Sequence, residues 1–278
     1  MSEQPDIAGA LGWARQQIDQ LDARVLLRHV LQCPPSRLVA WPEQKLDAEA
    51  WRVFRDLVER RRAGEPVAYL TGEREFYGRH FMVTPAVLIP RPDTELLVEL
   101  ALAHFSSVPR ARVLDMGTGS GALAVTLALE LDAADVTALD RSREALWVAM
   151  ANAARLGASV SFVQSDWFAG LGEERFQLIV ANPPYIAAAD PHLEQGDLRF
   201  EPRAALAAGS AGLDDLVEIV AGAPAHLEPE GWLLLEHGYD QAAAVRGLLA
   251  DGGFASITSW KDLAGIERVS GGRYLGRR

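Results

Sequence analysis

Cys33 is the only cysteine in the 278 residues. That excludes an internal disulfide and any multi-cysteine metal site. Its place in an apolar helical stretch reads as a packed core thiol. Lysine is almost as scarce, with Lys45 and Lys261 alone among 27 basic residues, which reads as coding bias. No apolar run approaches the roughly 18–20 residues that a membrane span needs. The opening MSEQPDIAGA lacks the basic start and apolar stretch of a secretory signal, so the expected location is the cytoplasm. Positive charge is also in deficit: 38 acidic residues against 27 basic leave a net charge of −11. Such a chain is repelled by bare nucleic acid unless a local basic patch overrides the global field. The expected partners are small molecules or proteins, with no direct nucleic acid and no membrane. Hydrophobic residues at 49% and charged residues at 23% are close to the globular average, which excludes wholesale disorder.

The pattern changes character twice along the chain. From Ile7 to about Arg62, apolar residues recur at helical spacing, with breaks at Asp22, Pro34–Pro35–Ser36 and Trp41–Pro42. Residues 1–72 are therefore expected to be a small, all-helical N-terminal domain. Residues 73–89, EREFYGRHFMVTPAVLI, alternate aromatic and β-branched positions around Tyr77–Gly78–Arg79. They predict a β-hairpin linker. Residues 90–278 then alternate strand and helix. Strands are expected at 112–116, 136–139, 160–164, 178–181, 232–236 and 255–260, with helices at 122–131, 143–156, 213–226 and 241–250. The predicted class is α/β, with an open, mostly parallel, doubly wound sheet. Ligands of such sheets bind at the carboxyl ends of the strands.

Those strand ends hold the candidate chemistry. After the first strand comes Asp115-Met-Gly117-Thr118-Gly119-Ser120-Gly121, directly before a helix. Its three glycines let the backbone approach a ligand and expose amides at a helix N-terminus. Asp115 is placed to accept hydrogen bonds from an amine-bearing ligand. The second strand ends at Asp140, whose two oxygens can take one ribose hydroxyl each. The third is followed by Asp166 and Trp167, an acid beside an exposed aromatic, suited to an adenine amino group and ring. The fourth runs into Asn182-Pro183-Pro184-Tyr185. Two prolines fix φ and restrict the residue before each. The resulting ledge places the Asn182 side-chain oxygen and the Pro183 carbonyl side by side, able to grip both hydrogens of one planar NH₂. Tyr185 offers a flat face to a conjugated group. Such a grip suits methylation of a delocalised nitrogen, because positioning alone can supply roughly 7–11 kcal/mol of a barrier.

Asp-x-Gly-x-Gly-x-Gly at that place resembles the cofactor loop of S-adenosylmethionine-dependent methyltransferases, and Asn-Pro-Pro-Tyr resembles those that modify planar nitrogens. The longer runs narrow the resemblance. LTGEREFYG (70–78), VLIPRPDTELLVE (87–99), DMGTGSGALA (115–124), NPPYI (182–186), RFEPRAAL (199–206) and LLLEHGYDQ (233–241) are together similar to the release factor glutamine methyltransferase family. The resemblance implies a Rossmann-like methyltransferase domain joined by a hairpin to a helical substrate-recognition domain. It implies S-adenosylmethionine as cofactor, S-adenosylhomocysteine as product and no metal. It further implies transfer to the glutamine N5 in the Gly-Gly-Gln loop of class I peptide-chain release factors. Carried over residue by residue, Gly117 to Gly121 cradle the methionine part of the cofactor, Asp140 its ribose, and Asp166 with Trp167 its adenine. Asn182 touches both cofactor and substrate, while Pro183, Pro184 and Tyr185 bind the glutamine amide. Arg91 and Thr94 resemble a segment near the cofactor.

Three other readings compete. A glutamine methyltransferase of a ribosomal protein would share the catalytic motifs. A DNA adenine methyltransferase could use the same ledge, but the net charge and the lack of a basic, aromatic-rich recognition segment oppose it. A non-catalytic binder on the same fold would be expected to have lost the loop or the ledge. The segment 199–203 either closes over the site or is an ordinary capped loop. Glu236 and His237 read as supports of the sheet edge, and a monomer is expected.

Overall fold

The structure is a computed structural model and describes residues 4–276. Its chain forms two compact units: residues 1–73 with 196–200, and residues 74–195 with 201–278. Among the described residues, no helix is long and apolar enough to cross a membrane.

The first unit is helical: α1 (Ile7–Ala14), α2 (Gln20–Leu31), α3 (Pro35–Ala40), α4 (Ala48–Arg62) and α5 (Val67–Thr71). Asp6, Asp19 and Asp47 start α1, α2 and α4, each accepting a backbone amide from the first turn. Each such cap contributes about 1 kcal/mol. Ile7, Leu26, Leu27, Phe54 and Val58 are fully buried at the centre, and half-buried Cys33 packs against that core. The segment 196–200 belongs here through ion pairing. The Arg61 guanidinium reaches Asp22 at 2.7 Å and Asp197 at 2.9 Å, and Arg199 donates to the Ala63 carbonyl at 2.5 Å.

The paired part of the hairpin, all but Glu73 of it in the second unit, is β1 (Glu73–Phe76) and β2 (Arg79–Met82), so residues 83–89 leave the ladder. Phe76 and Phe81 anchor it edge to face at 6.1 Å in the core. A seven-stranded sheet follows, built from β3 (Arg112–Met116), β4 (Asp135–Asp140), β5 (Val160–Gln164), β6 (Phe176–Ala181), β7 (Leu227–Glu236), β8 (Phe254–Lys261) and β9 (Glu267–Tyr274). Helices α6 (Glu95–Phe105), α7 (Ala122–Glu130), α8 (Arg143–Leu156), α9 (Asp214–His226) and α10 (Ala242–Asp251) alternate with its strands. The order is β5-β4-β3-β6-β7-β9-β8, with β9 antiparallel to both of its neighbours and the remaining pairs parallel. Two apolar cores result, one on each face, as a doubly wound sheet requires.

The strand β9 lies outside the predicted set. ERVSGGRY has no apolar alternation because Gly271 and Gly272 sit where neighbouring strands press close. A Cβ at Gly271 would lie 2.6 Å from Leu234 and 2.7 Å from the Leu233 carbonyl. Chain order reverses between β3 and β6, and the carboxyl ends of β3, β4 and β6 meet at that switch point.

Candidate active site

At the switch point lies a pocket whose walls come from six stretches of the second unit. Gly117 and Gly119 follow β3, Asp140 ends β4 with Arg141 and Ser142 after it, Ser165 to Trp167 follow β5, and Asn182 with Pro184 follow β6. Residues 86–88 and Pro202, Ala204 and Ala205 complete the lining. The sequence-predicted residues Gly117, Gly119, Asp140, Asp166, Trp167, Asn182 and Pro184 therefore share one cavity.

The loop after β3 works differently from expectation. The Gly117 and Thr118 amides both donate to the Leu139 carbonyl at 2.9 Å. Gly119 donates to Asp140 Oδ2 at 2.9 Å, and Gly121 to the Thr118 carbonyl at 2.8 Å. These donors are thus committed within the protein. What the loop presents to a ligand is bare backbone, at Gly117 and Gly119, both with positive φ. The Thr118 hydroxyl turns inward to Asp115 Oδ2 at 2.6 Å, and the Ala124 amide donates to the same oxygen at 3.2 Å. Asp115 is fully enclosed, and burial pushes its carboxyl up to about 7. It braces the start of α7 and does not line the pocket. Gly121 is a packing glycine: a Cβ there would lie 3.0 Å from that of Ala149. Ser120 is buried, its carbonyl accepting from Asn152 at 2.8 Å. The fully buried Asn152 also exchanges hydrogen bonds with both backbone groups of Met82, at 2.8 and 2.9 Å. One side chain therefore ties the loop to the hairpin.

Asp140 accepts from Gly119 on one oxygen and from Ser142 on the other, each at 2.9 Å. Burial raises its carboxyl above the ordinary value. Each oxygen keeps lone-pair capacity for one further donor. Trp167 is buried, not exposed as its sequence context suggested: 9% of it is accessible, and it belongs to a core cluster. Its ring lies 3.6 Å from the position a Gly117 Cβ would take, so it forms pocket wall and core at once. Its backbone has φ +42°, a region disfavoured for L-residues. It is held there by Ser165 Oγ donating to its carbonyl at 2.6 Å and by Nε1 donating to Asp215 at 3.2 Å.

On the ledge, Asn182 Nδ2 donates to Thr94 Oγ1 at 3.0 Å. That leaves Oδ1 as the amide atom able to accept. Pro183 is buried. The Tyr185 hydroxyl donates to Glu236 Oε1 at 3.3 Å, and its carbonyl accepts from Gln241 at 3.0 Å. Burial, reinforced by the Glu236 carboxylate, pushes the Tyr185 phenol up, so it stays a donor. Neither Pro183 nor Tyr185 lines the cavity; both flank it through their chain neighbours.

Two model families match the chain: the PrmC N-terminal domain over residues 8–72 and the methyltransferase small domain over residues 93–197. The release factor glutamine methyltransferase of Burkholderia pseudomallei is 54% identical over 266 residues, 93% of each chain. That of Xylella fastidiosa strain Temecula1 is 48% identical, over 98% of this chain and 99% of its own. The chain belongs to the release factor glutamine methyltransferase family. The Thermus thermophilus 16S rRNA N2 G1207 methyltransferase, solved with AdoMet and guanosine, shares the fold. Its TM-score is 0.56 at 21% identity, covering 73% of this chain and 49% of that one.

For a member of this methyltransferase family the pocket fits the implied cofactor. Bare glycine backbone faces it at Gly117 and Gly119, a carboxylate with spare capacity at Asp140, and an indole wall at Trp167. Among the described residues, no group of three or more His, Cys, Asp or Glu is arranged to hold a metal ion. Within the segment 199–203, sequence reasoning gave Glu201 no role of its own. Its side chain is wholly buried, accepts the Ile89 amide at 3.0 Å and pairs with Arg91. It pins the stretch that supplies Pro202, Ala204 and Ala205, and Arg141 donates to the Ala204 carbonyl at 2.9 Å. The family run RFEPRAAL contained that signal. Arg91 and Thr94 do not line the pocket; one holds Glu201 and the other Asn182.

Proposed function

We propose that this protein transfers a methyl group to the side-chain amide nitrogen of the glutamine in the Gly-Gly-Gln loop of class I peptide-chain release factors. The observation that carries the reading is the Asn182 amide in the pocket wall, its NH₂ end turned to Thr94 and its oxygen left to accept. S-adenosylmethionine, when bound, supplies an electrophilic methyl on a sulfonium centre. Gly117 and Gly119 admit its methionine part, Asp140 takes the ribose hydroxyls, and Asp166 and Trp167 hold the adenine. Thr118, Ser120 and Gly121 act through the loop's shape.

An amide nitrogen is a poor nucleophile because its lone pair is delocalised into the carbonyl. Asn182 Oδ1 and the Pro183 carbonyl accept its two hydrogens and hold the nitrogen facing the methyl, while Pro184 and Tyr185 confine the planar group. As the nitrogen is alkylated its N–H bonds become more acidic, the two acceptors stabilise the charge developing there, and one N–H proton passes to solvent while the electrons of the methyl–sulfur bond stay on sulfur. No side-chain nucleophile is needed. The helical unit, residues 1–72, serves recognition of the protein substrate. We place the enzyme in the cytoplasm as a monomer; the net charge of −11 disfavours direct nucleic-acid binding.

The test is transfer of label from S-adenosylmethionine to purified release factor, beside ribosomal protein and unmethylated DNA. A release factor with its loop glutamine replaced is the control. Label on the intact factor alone supports the proposal; label on ribosomal protein or DNA overturns the substrate assignment.

A further inference from the structure

Glu236 is the last residue of β7, one step beyond the Ala181–Leu235 register pair, and so lies beside Asn182 at the strand ends. It is 1% exposed. One carboxylate oxygen accepts from the Tyr185 hydroxyl, whereas the other, Oε2, is buried with no hydrogen-bond partner among the described residues. The Thr94 side chain also lies near enough to this carboxylate to favour its charged form. Burying a carboxylate without full pairing is costly, and an apolar side chain of similar volume would suit a sheet interior better. The backbone of Glu236 is already paired with Val269 of β9, so the strand itself does not require the acid.

The side chains on either side explain its presence. A threonine hydroxyl has one proton to donate and accepts at its oxygen. While Thr94 accepts from Asn182, its proton needs another acceptor, and Glu236 is the carboxylate within reach. Without Glu236 that proton would turn to Asn182 Oδ1. The amide would then rotate and present its NH₂ to the incoming NH₂ of the substrate, donor against donor.

We infer that Glu236 is a positioning residue, which acts through Thr94 and Tyr185 to keep the acceptor end of Asn182 turned toward the substrate amide. The inference rests on the glutamine-methylation reading above. It assigns Glu236 no contact with substrate and no proton transfer to it.

Three variants test it: Glu236→Leu, Glu236→Gln and Thr94→Val. Each is assayed for kcat and KM with release factor, for S-adenosylmethionine affinity by calorimetry, and for melting temperature. Misorienting a positioning group costs on the order of 10- to 100-fold in rate, so Glu236→Leu should lose that much kcat while cofactor affinity stays near wild type. Glu236→Gln keeps an acceptor oxygen and should recover most of the rate. Thr94→Val breaks the same relay, and the double variant Thr94→Val/Glu236→Leu should be no slower than the worse single one. A folded Glu236→Leu with wild-type kcat, or losses that multiply in the double variant, would overturn the inference. Should Glu236→Leu fail to fold, Thr94→Val decides, and an unchanged kcat there refutes the relay. Absence of glutamine methylation by the wild-type protein would instead overturn the reading beneath it.

Discussion

Replacing Asp140 by asparagine exchanges one oxygen for an NH₂ group at almost constant volume. In the native chain both oxygens are engaged, Oδ2 by the Gly119 amide and Oδ1 by the Ser142 amide. Asparagine has one acceptor and one donor group, so one of those amides must face an NH₂. A ribose hydroxyl that donated to the same oxygen loses its acceptor as well. A hydrogen bond to a charged group contributes about 1.5–3 kcal/mol, and loss of one such bond weakens cofactor affinity roughly 10- to 150-fold. Calorimetric titration with S-adenosylmethionine at pH 7 measures this directly, and a melting curve reports the cost to the loop separately. Since burial raises the Asp140 carboxyl, wild-type affinity should begin to fall at a higher pH than it would for an exposed aspartate. A folded Asp140→Asn protein with unchanged affinity would refute the ribose assignment. A lowered melting temperature with full affinity would confine Asp140 to bracing the loop.

Asn182→Ala should bind cofactor nearly normally but lose most transfer, because one of the two acceptors for the substrate NH₂ is gone; near-normal turnover would refute the ledge mechanism. Asn152→Ala leaves three backbone groups without their partner, and unfolding by urea should show a loss of roughly 3–5 kcal/mol; a loss below one would mean water replaces the amide. Glu201→Ala strips the Ile89 amide and Arg91 of their shared acceptor, so it should both lower stability and weaken cofactor binding at the wall formed by residues 202–205; intact affinity would detach that stretch from the cofactor. Asp115 titrates near 7 in the folded protein against an ordinary 3.8. Between those values the native state holds more protons than the unfolded chain, so this group's contribution to stability falls as pH rises from about 4 to 7. Asp115→Asn should flatten that part of the stability profile, and an unchanged slope would argue against it.

What could be read from the sequence and what could not divide along one physical line. Glycine tolerance of positive φ and proline restriction of its neighbour act within two or three residues, so the loop at 117–121 and the ledge at 182–185 declare themselves without a fold. The parallel strands do too, because β3, β6 and the later part of β7 are largely apolar and buried on both faces. The strand β9 hides because its glycines answer to Leu234 and Phe254 across the sheet, a demand no local period can express. The same holds inside the site. That the loop amides are already satisfied depends on the Leu139 carbonyl, which β4 delivers from some twenty residues away. That Trp167 is buried depends on Asp215 and on the missing side chain at Gly117. Glu236 is the sharpest instance. An acid at a strand end ordinarily faces water, and nothing within LLLEHG says otherwise. Only the approach of Thr94 from the start of α6 and Tyr185 from the ledge converts it into a buried acceptor, so its role belongs to the fold and not to its own segment.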